Sequence, residues 1–402
     1  MNPAAQPLER RSRSARLIIF RILTVSIGIL IGLGVAEAAL RLVEKTRLGN
    51  RAAPMVSDPL LGNRLVPNTA GHDANGFRND AIRPRVDIVT LGDSQTWGVN
   101  VQSVDSWPRQ LERLSGTLVY NMGVGGYGPV QYWALTDKAL EFSPQTVVVG
   151  LYLGNDVYDA YALVYANDAY ADLRAKPAVD EMRIDTIKTK SDFFWDEEKT
   201  FHNNYGRSSP SGWSLWLREH SAIGRLLNRD GLWPGATDVD YEIDRAWVRT
   251  HSDHGAICED AQVRTVFTTA YRLTGLNLDE PRIAEGLRIT KEVLSRAHQK
   301  VTGKGAKFLV LVIPTKESVY AELMQREGRS TGAYQLLVEM ENRARNDLLS
   351  FCAQKGLVCV DALPNLRSAI ARRQQIYPSS TESHPNANGY GILAGVVNNA
   401  IK

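Results

Sequence analysis

At 402 residues, with 44% hydrophobic and 23% charged side chains, the chain is long enough for two or three domains and too apolar to be disordered. Its net charge of +3 conceals an asymmetry: residues 1–52 hold nine Lys/Arg against three Asp/Glu, leaving 38 basic and 41 acidic residues beyond them. The remainder is mildly acidic, so its charge makes no case for nucleic-acid binding.

The first predicted element runs from Leu17 to Ala36, twenty residues with Arg21 as the one charge, behind a leader containing Arg10, Arg11, Arg13 and Arg16. That length suffices to span a bilayer, and Arg21 lies near enough to the end to snorkel. The basic leader predicts a cytoplasmic N-terminus and an exported remainder, against the opposing signal of Arg41, Lys45, Arg47 and Arg51. Ala36-Glu37-Ala38 resembles a small-residue cleavage site, so a removed signal peptide stays open. The long apolar stretch and the interrupting Glu37 favour an uncleaved anchor within residues 1–50.

Residues 51–85 read as a linker. Its Asn75-Gly76-Phe77-Arg78-Asn79-Asp80 run is turn-rich and is expected to be a surface turn without a catalytic role. Strands are then predicted at 86–91, 118–121, 146–152, 307–314 and 357–360. Helices are predicted at 106–114, 129–141, 282–301, 333–354, 363–372 and 388–400. Such βα alternation predicts a three-layer α/β/α fold with a parallel sheet. Residues 157–281 interrupt it with an insertion holding Trp195, Trp213, Trp216, Trp233 and Trp247, five of the eight tryptophans. These rings are either the insertion's own small core or a sugar-stacking lid beside the strand ends.

Four segments carry the chemistry. Gly92-Asp93-Ser94 follows the first core strand and puts a hydroxyl at the strand's carboxyl end, where open α/β sheets bind ligands. Asn121-Met-Gly123-Val-Gly125-Gly126-Tyr-Gly128 and Gly154-Asn155-Asp156 follow the second and third strands, and Glu382-Ser383-His384-Pro385 precedes the last helix. Each has an ordinary structural reading, as a β-to-helix turn, a flexible glycine loop, a helix cap or a surface loop. In this order they resemble the Ser, Gly, Asn and His blocks of the SGNH (GDSL-type) hydrolase superfamily, over a core of 86–156 and 282–402.

The resemblance implies a flavodoxin-like α/β/α fold and acyl transfer without a metal or organic cofactor. It makes Ser94 the nucleophile and His384 its base. The oxyanion hole is carried over as the Ser94 and Gly126 N–H groups and the Asn155 amide. Asp93 is expected to orient the nucleophile turn. Two departures stand out. The position three before the histidine, commonly Asp, is Thr381, so the imidazole's carboxylate partner would be Glu382, two before it, as in polysaccharide O-acetyltransferase relatives. Leu153 occupies a position that is often Gly.

Gln95 and Trp97, flanking Ser94, are candidates for lining an acyl pocket, and Lys316, after the fourth strand, for facing substrate; each is equally a candidate for packing. Cys352 and Cys359 straddle a helix-to-strand turn and could pair in an oxidising compartment. Cys258 would remain unpaired, and no Cys/His spacing suggests a metal site. The expected function is a membrane-anchored, extracytoplasmic (periplasmic) serine esterase. Its expected substrate is an acylated cell-envelope or secreted polysaccharide, within reach of envelope polysaccharide machinery. An O-acetyltransferase with the same residues, or a non-catalytic glycan-binding protein on this fold, are the alternatives.

Overall fold

The computed structural model describes residues 6–46, 54–69, 71–176, 184–208, 221–223 and 239–402. The chain divides into two compact units, one gathering residues 1–48 and 209–239, the other 49–208 and 240–402.

In the first unit a helix runs from Gln6 to Thr46. Its stretch Ile18–Leu42 is long and apolar enough to cross a membrane, 25 residues or about 37 Å at the helical rise. Near the end of that stretch the Glu37 carboxylate accepts the N–H groups of Ala222 (2.8 Å) and Ile223 (3.0 Å) and the Ser221 hydroxyl (2.8 Å). It also pairs with Arg41 one turn on. The charge that interrupts the cleavage-like sequence is thus fully engaged.

The second unit is built on a five-stranded parallel sheet. After the antiparallel pair β1 (Met55–Asp58) and β2 (Gly62–Leu65), its strands are β3 (Ile88–Gly92), β4 (Val119–Gly123), β5 (Thr146–Tyr152), β8 (Lys307–Ile313) and β9 (Val358–Asp361). Between β5 and β8 comes a hairpin of β6 (Ala256–Glu259) and β7 (Arg264–Phe267). The sheet order is β4-β3-β5-β8-β9, which counted within the sheet is 2-1-3-4-5, the flavodoxin-like order.

Alternate side chains of the buried strands feed two cores. Val148, Leu309 and Leu311 pack with Trp107, Leu111, Leu366 and Leu393 on one face. Val147, Val149, Phe308 and Val310 pack with Tyr132, Leu294, Val301 and Leu348 on the other. Helices Trp107–Ser115, Lys316–Arg326, Leu363–Ala371 and Ala387–Ile401 supply the first layer; helices Pro129–Ala134, Pro281–Thr302 and Gly332–Lys355 supply the second. The Cys352–Cys359 disulfide, with Cα atoms 6.1 Å apart, ties the last of these to edge strand β9. Cys258 is free and buried.

Every predicted core strand is present within a few residues of its expected bounds. The helix expected over 129–141 is two, Pro129–Ala134 and Thr136–Leu140, meeting at Leu135. Helix Lys316–Arg326 was not expected. Thr315 starts it by accepting the Ser318 N–H, and its charged residues interleave too closely with its apolar ones for a clear stripe. Between β5 and β8, helix Asp156–Ala166 buries Val157, Ala160, Tyr161 and Val164, and joins Ile289 and Val293 of helix Pro281–Thr302 in a core. Trp247 is buried with Tyr241, Val248 and Val266, whereas Trp195 is 45% exposed. Trp213, Trp216 and Trp233 lie outside the described residues.

The Asn75–Asp80 run is not a surface turn. Phe77, Arg78 and Asn79 are buried, because the segment supplies polar groups that the sheet edge lacks. Asn79 Oδ1 accepts the Asn121 N–H and Asn79 Nδ2 donates to the Asn121 carbonyl, both at 3.0 Å, closing the open side of edge strand β4.

Candidate active site

Ser94 opens the short helix Ser94–Trp97 directly after β3. Its position comes from a row of glycines. Gly92 is in register with Gly123 of β4 and Gly150 of β5, so no side chain rises from these three neighbouring positions. A Cβ at Gly92 or Gly150 would stand 2.0 or 2.4 Å from Thr96 Oγ1, and one at Gly123 would stand 2.4 Å from the Trp97 nitrogen. The Ser94 turn therefore lies on bare backbone, closer than any larger residue allows.

Side chains then fasten the turn. Asp93 caps it, accepting the Gln95 N–H at 2.9 Å, and its other carboxylate oxygen lies 3.2 Å from Ser94 Oγ. Burial pushes the Asp93 carboxyl up to about 6, against the Gln95 N–H, the His384 charge and the Ser94 hydroxyl, which favour its ionised form. Asn121 Nδ2 donates to the Thr96 carbonyl at 3.0 Å. Arg78, 2% exposed, donates to the carbonyls of Trp97 (3.0 Å), Gly98 (2.6 Å) and Val101 (2.9 Å), with its guanidinium 3.9 Å from the Trp97 ring centre.

Gln95 and Trp97 are packing residues. Both side chains are buried beneath the turn, and the Trp97 N–H donates to His72 Nε2. Ser94 lines the cleft, and neither Gln95 nor Trp97 does.

The imidazole beside Ser94 arrives from far along the chain. His384 lies in the irregular segment between helices Leu363–Ala371 and Ala387–Ile401, and its Nε2 is 2.8 Å from Ser94 Oγ. Its Nδ1 is 2.5 Å from Glu382 Oε1, which also accepts the His384 main-chain N–H at 3.0 Å. Burial pushes the Glu382 carboxyl up, but hydrogen bonding to and the charge of His384, with the nearby Lys316 ammonium, hold it down at about 2. An ionised carboxylate can only accept, so in the neutral form of the ring Nδ1 carries the proton and the Nε2 lone pair is left for the serine hydroxyl. Thr381, at the position where an acid is commoner, uses its N–H to donate to Asp244 at 2.6 Å.

A cleft of about 810 Å³ opens over these groups. Gly126 and Asn155 line it beside Ser94 and His384. Gly126 has φ +80° with open space where a Cβ would stand, a left-handed conformation that glycine adopts without strain. Asn155 donates one amide hydrogen to Asp159 at 2.5 Å, which anchors the amide and leaves its second N–H for the cleft. Burial pushes the Asp159 carboxyl up to about 7, opposed by that hydrogen bond. Both carboxylate oxygens of Asp156 point inward, to the Tyr132 hydroxyl (2.9 Å) and the Tyr152 N–H (2.9 Å), which sets where helix Asp156–Ala166 begins.

Lys316 does not face the cleft. Its ammonium, on the first residue of helix Lys316–Arg326, is buried among main-chain and hydroxyl oxygens behind the Glu382 loop. Asp159 and Arg78 were missed. Asp159 could have been found as the residue one helical turn after Asn155, whereas Arg78 sits in a run whose polarity disguised it.

No protein-family model matches the chain, and no curated protein does either. Solved structures similar to it include a protein of the G-D-S-L lipolytic family from Desulfitobacterium hafniense DCB-2, with 12% sequence identity, 78% of this chain and 97% of that chain covered, and a TM-score of 0.36. A protein classed as an SGNH hydrolase from Slackia heliotrinireducens has 11% identity, coverage of 79% and 100%, and a TM-score of 0.32. A GDSL-like lipase from Bacteroides thetaiotaomicron has 10% identity, coverage of 78% and 86%, and a TM-score of 0.32.

Proposed function

We propose that the protein is a serine esterase that cleaves an oxygen ester through an acyl-Ser94 intermediate. The observation that carries this reading is the continuous chain Ser94 Oγ–His384 Nε2 and His384 Nδ1–Glu382 Oε1 at 2.8 and 2.5 Å, open to one cleft. In the first half-reaction Ser94 Oγ attacks the ester carbonyl while its proton passes to His384 Nε2. Glu382 holds Nδ1–H and stabilises the imidazolium. The N–H groups of Ser94 and Gly126, with the free Asn155 N–H, receive the oxyanion. His384 then protonates the departing alkoxide, leaving the acyl group on Ser94. Water repeats the sequence in reverse, releasing the acid and restoring the serine.

The acyl group is carried on a carbohydrate in this reading, from a cell-envelope or secreted polysaccharide. Support comes from the cleft's rim, where the exposed Trp195 ring stands 5.9 Å from Tyr271, and Tyr158 adds a third ring. Asp192 and Asp240 lie among them as acceptors for sugar hydroxyls. Aromatic faces with interleaved carboxylates suit a pyranose better than a fatty chain. Residues 1–50 anchor the protein, 51–85 are the linker and entry segment, 86–156 and 282–402 form the catalytic core, and Tyr158, Trp195 and Tyr271 contribute to the rim. The disulfide and the spanning-length helix support a single-pass protein with its catalytic part outside the cytoplasm, near envelope polysaccharide machinery.

The Glu382-x-His384 pairing favours a second reading, O-acetyl transfer to a sugar hydroxyl in place of water. Incubating the full chain with p-nitrophenyl acetate and an oligosaccharide separates the two: acetylated glycan supports transfer, and acetate alone supports hydrolysis. Ser94→Ala is expected to abolish turnover while leaving folding unchanged. Equal turnover by wild type and Ser94→Ala would leave a non-catalytic glycan-binding protein.

A further inference from the structure

Lys316 is a buried cation that the reaction above does not use. It is the first residue of helix Lys316–Arg326, and its side chain has no solvent exposure. Its Nζ lies 2.8 Å from the Val266 carbonyl and 3.1 Å from Thr265 Oγ1, both on β7. It lies 2.9 Å from the Ser380 carbonyl and 3.0 Å from the Glu382 carbonyl, both in the loop bearing the acid and the base. Four oxygens share three N–H groups, and none belongs to a carboxylate. The Thr265 hydroxyl completes the arrangement by donating to the Pro378 carbonyl at 2.9 Å.

Burying an ammonium is expensive unless fixed dipoles replace water, and here the dipoles are main-chain carbonyls of two segments that are far apart in sequence. The same centre could have been filled by an apolar side chain at lower cost. What an apolar residue cannot do is grip the carbonyls on either side of Thr381. It also cannot keep a positive charge next to the residue whose carboxylate must stay ionised.

We propose that Lys316 is a positioning residue for the serine esterase reaction, clamping the Ser380–Glu382 backbone to β7 so that Glu382 holds His384 against Ser94. The inference rests on the esterase reading. The clamp explains how an acid and base on an irregular loop hold hydrogen-bond geometry with a nucleophile fixed to the sheet. It also carries a pH signature. Burial pushes the ammonium down to about 8, opposed by the charges of Glu317, Glu382 and Asp244 and assisted by Arg272. The Phe267 ring centre lies 5.6 Å from the ammonium. As pH rises through that value the charge is lost, and turnover should fall with it.

The test uses the full-length protein with p-nitrophenyl acetate, comparing wild type, Lys316→Met, Glu382→Gln and the double variant, with Ser94→Ala as the blank. Lys316→Met should lower kcat about 10- to 100-fold, the scale of a small displacement of a catalytic group, with KM changed less than threefold. It should also remove the alkaline fall near pH 8. Because Lys316 acts through Glu382, the double variant should be no slower than Glu382→Gln alone. Multiplying effects, or a Lys316→Met enzyme with wild-type kcat and pH profile, would overturn the clamp while leaving the esterase standing. Wild-type turnover equal to the Ser94→Ala blank would overturn both. Should Lys316→Met fail to fold, Thr265→Val replaces it, since it removes one acceptor and the tie to Pro378. That variant should fold and lose several-fold in kcat, and an unchanged kcat would overturn the proposal.

Discussion

The two halves of the candidate site are held in opposite ways. The nucleophile half is local: Ser94 follows β3 by two residues, lies on the Gly92–Gly123–Gly150 row and is capped by its neighbour Asp93. The base half is not local. Glu382 and His384 belong to a segment without helix or strand, and their place is set by Lys316, Asp244 and Thr265, each from a different element. One half is fixed by backbone contact with the sheet and the other by side-chain hydrogen bonds reaching across the fold. The first should fail when a methyl group is added to its glycine row, whereas the second has no such row and should fail at its polar residues.

Glu382→Gln gives the largest expected effect on the base half. The amide neither stabilises an imidazolium as an anion does nor fixes the Nδ1–H tautomer. Turnover of p-nitrophenyl acetate should fall at least tenfold, more than about 1.4 kcal/mol in the barrier, with the melting temperature little changed. Unchanged turnover would place the acid elsewhere.

Gly123→Ala probes the opposite half. Its Cβ would meet the Trp97 main-chain nitrogen at 2.4 Å and the Thr96 carbonyl carbon at 2.7 Å, and neither is a side chain that can swing away. A loss of about 1–3 kcal/mol in stability is expected by urea unfolding, with activity falling as the turn lifts. A neutral result would mean that the turn tolerates displacement and that the halves differ less than argued.

Arg78→Met tests whether the linker belongs to the nucleophile half. It keeps the stem but leaves three carbonyls of the 97–101 turn without their guanidinium donors. A destabilisation of about 1–3 kcal/mol by urea unfolding is expected, with a smaller drop in kcat than for Glu382→Gln. Full stability would show these carbonyls satisfied by other means.

The smallest effect belongs to Asp159→Asn. The folded carboxyl is pushed up to about 7, above its unfolded value near ~4, so the native state holds an extra proton between them. Its contribution is complete below about pH 4 and is lost as pH rises through 7. The variant should therefore match wild type at pH 4 and melt about 1–3 °C higher at pH 8. The reverse order at pH 8 would show that the Asp159 anion is held favourably by Asn155.

What the sequence made legible follows the same division. The buried strands and the Gly-Asp-Ser turn were readable because their determinants are contiguous, and Ser94 could be placed at a strand end from those residues alone. The choice of Glu382 over position 381 depended on a resemblance, and the structure supplies its physical content in two contacts with His384. Arg78 and Asn79 were misread because a charged or amide residue in a turn-rich run ordinarily faces water, and of the two readings left open for Lys316 the structure takes packing over substrate. Here each fills a demand created elsewhere: an open strand edge, the bare carbonyls of a short helix, a loop with no ladder of its own. Helix Lys316–Arg326 escaped for a related reason, since Lys316 and Glu317 are buried at its start.

The carboxylate and imidazole are separated by one residue, and the carboxylate grips both ends of that histidine. They consequently travel as a single cassette, and a shift of the loop parts the cassette from the serine without taking it apart. A ligand or mutation acting on this loop would work as a latch, engaged or released, with the internal chemistry of the pair preserved in either position.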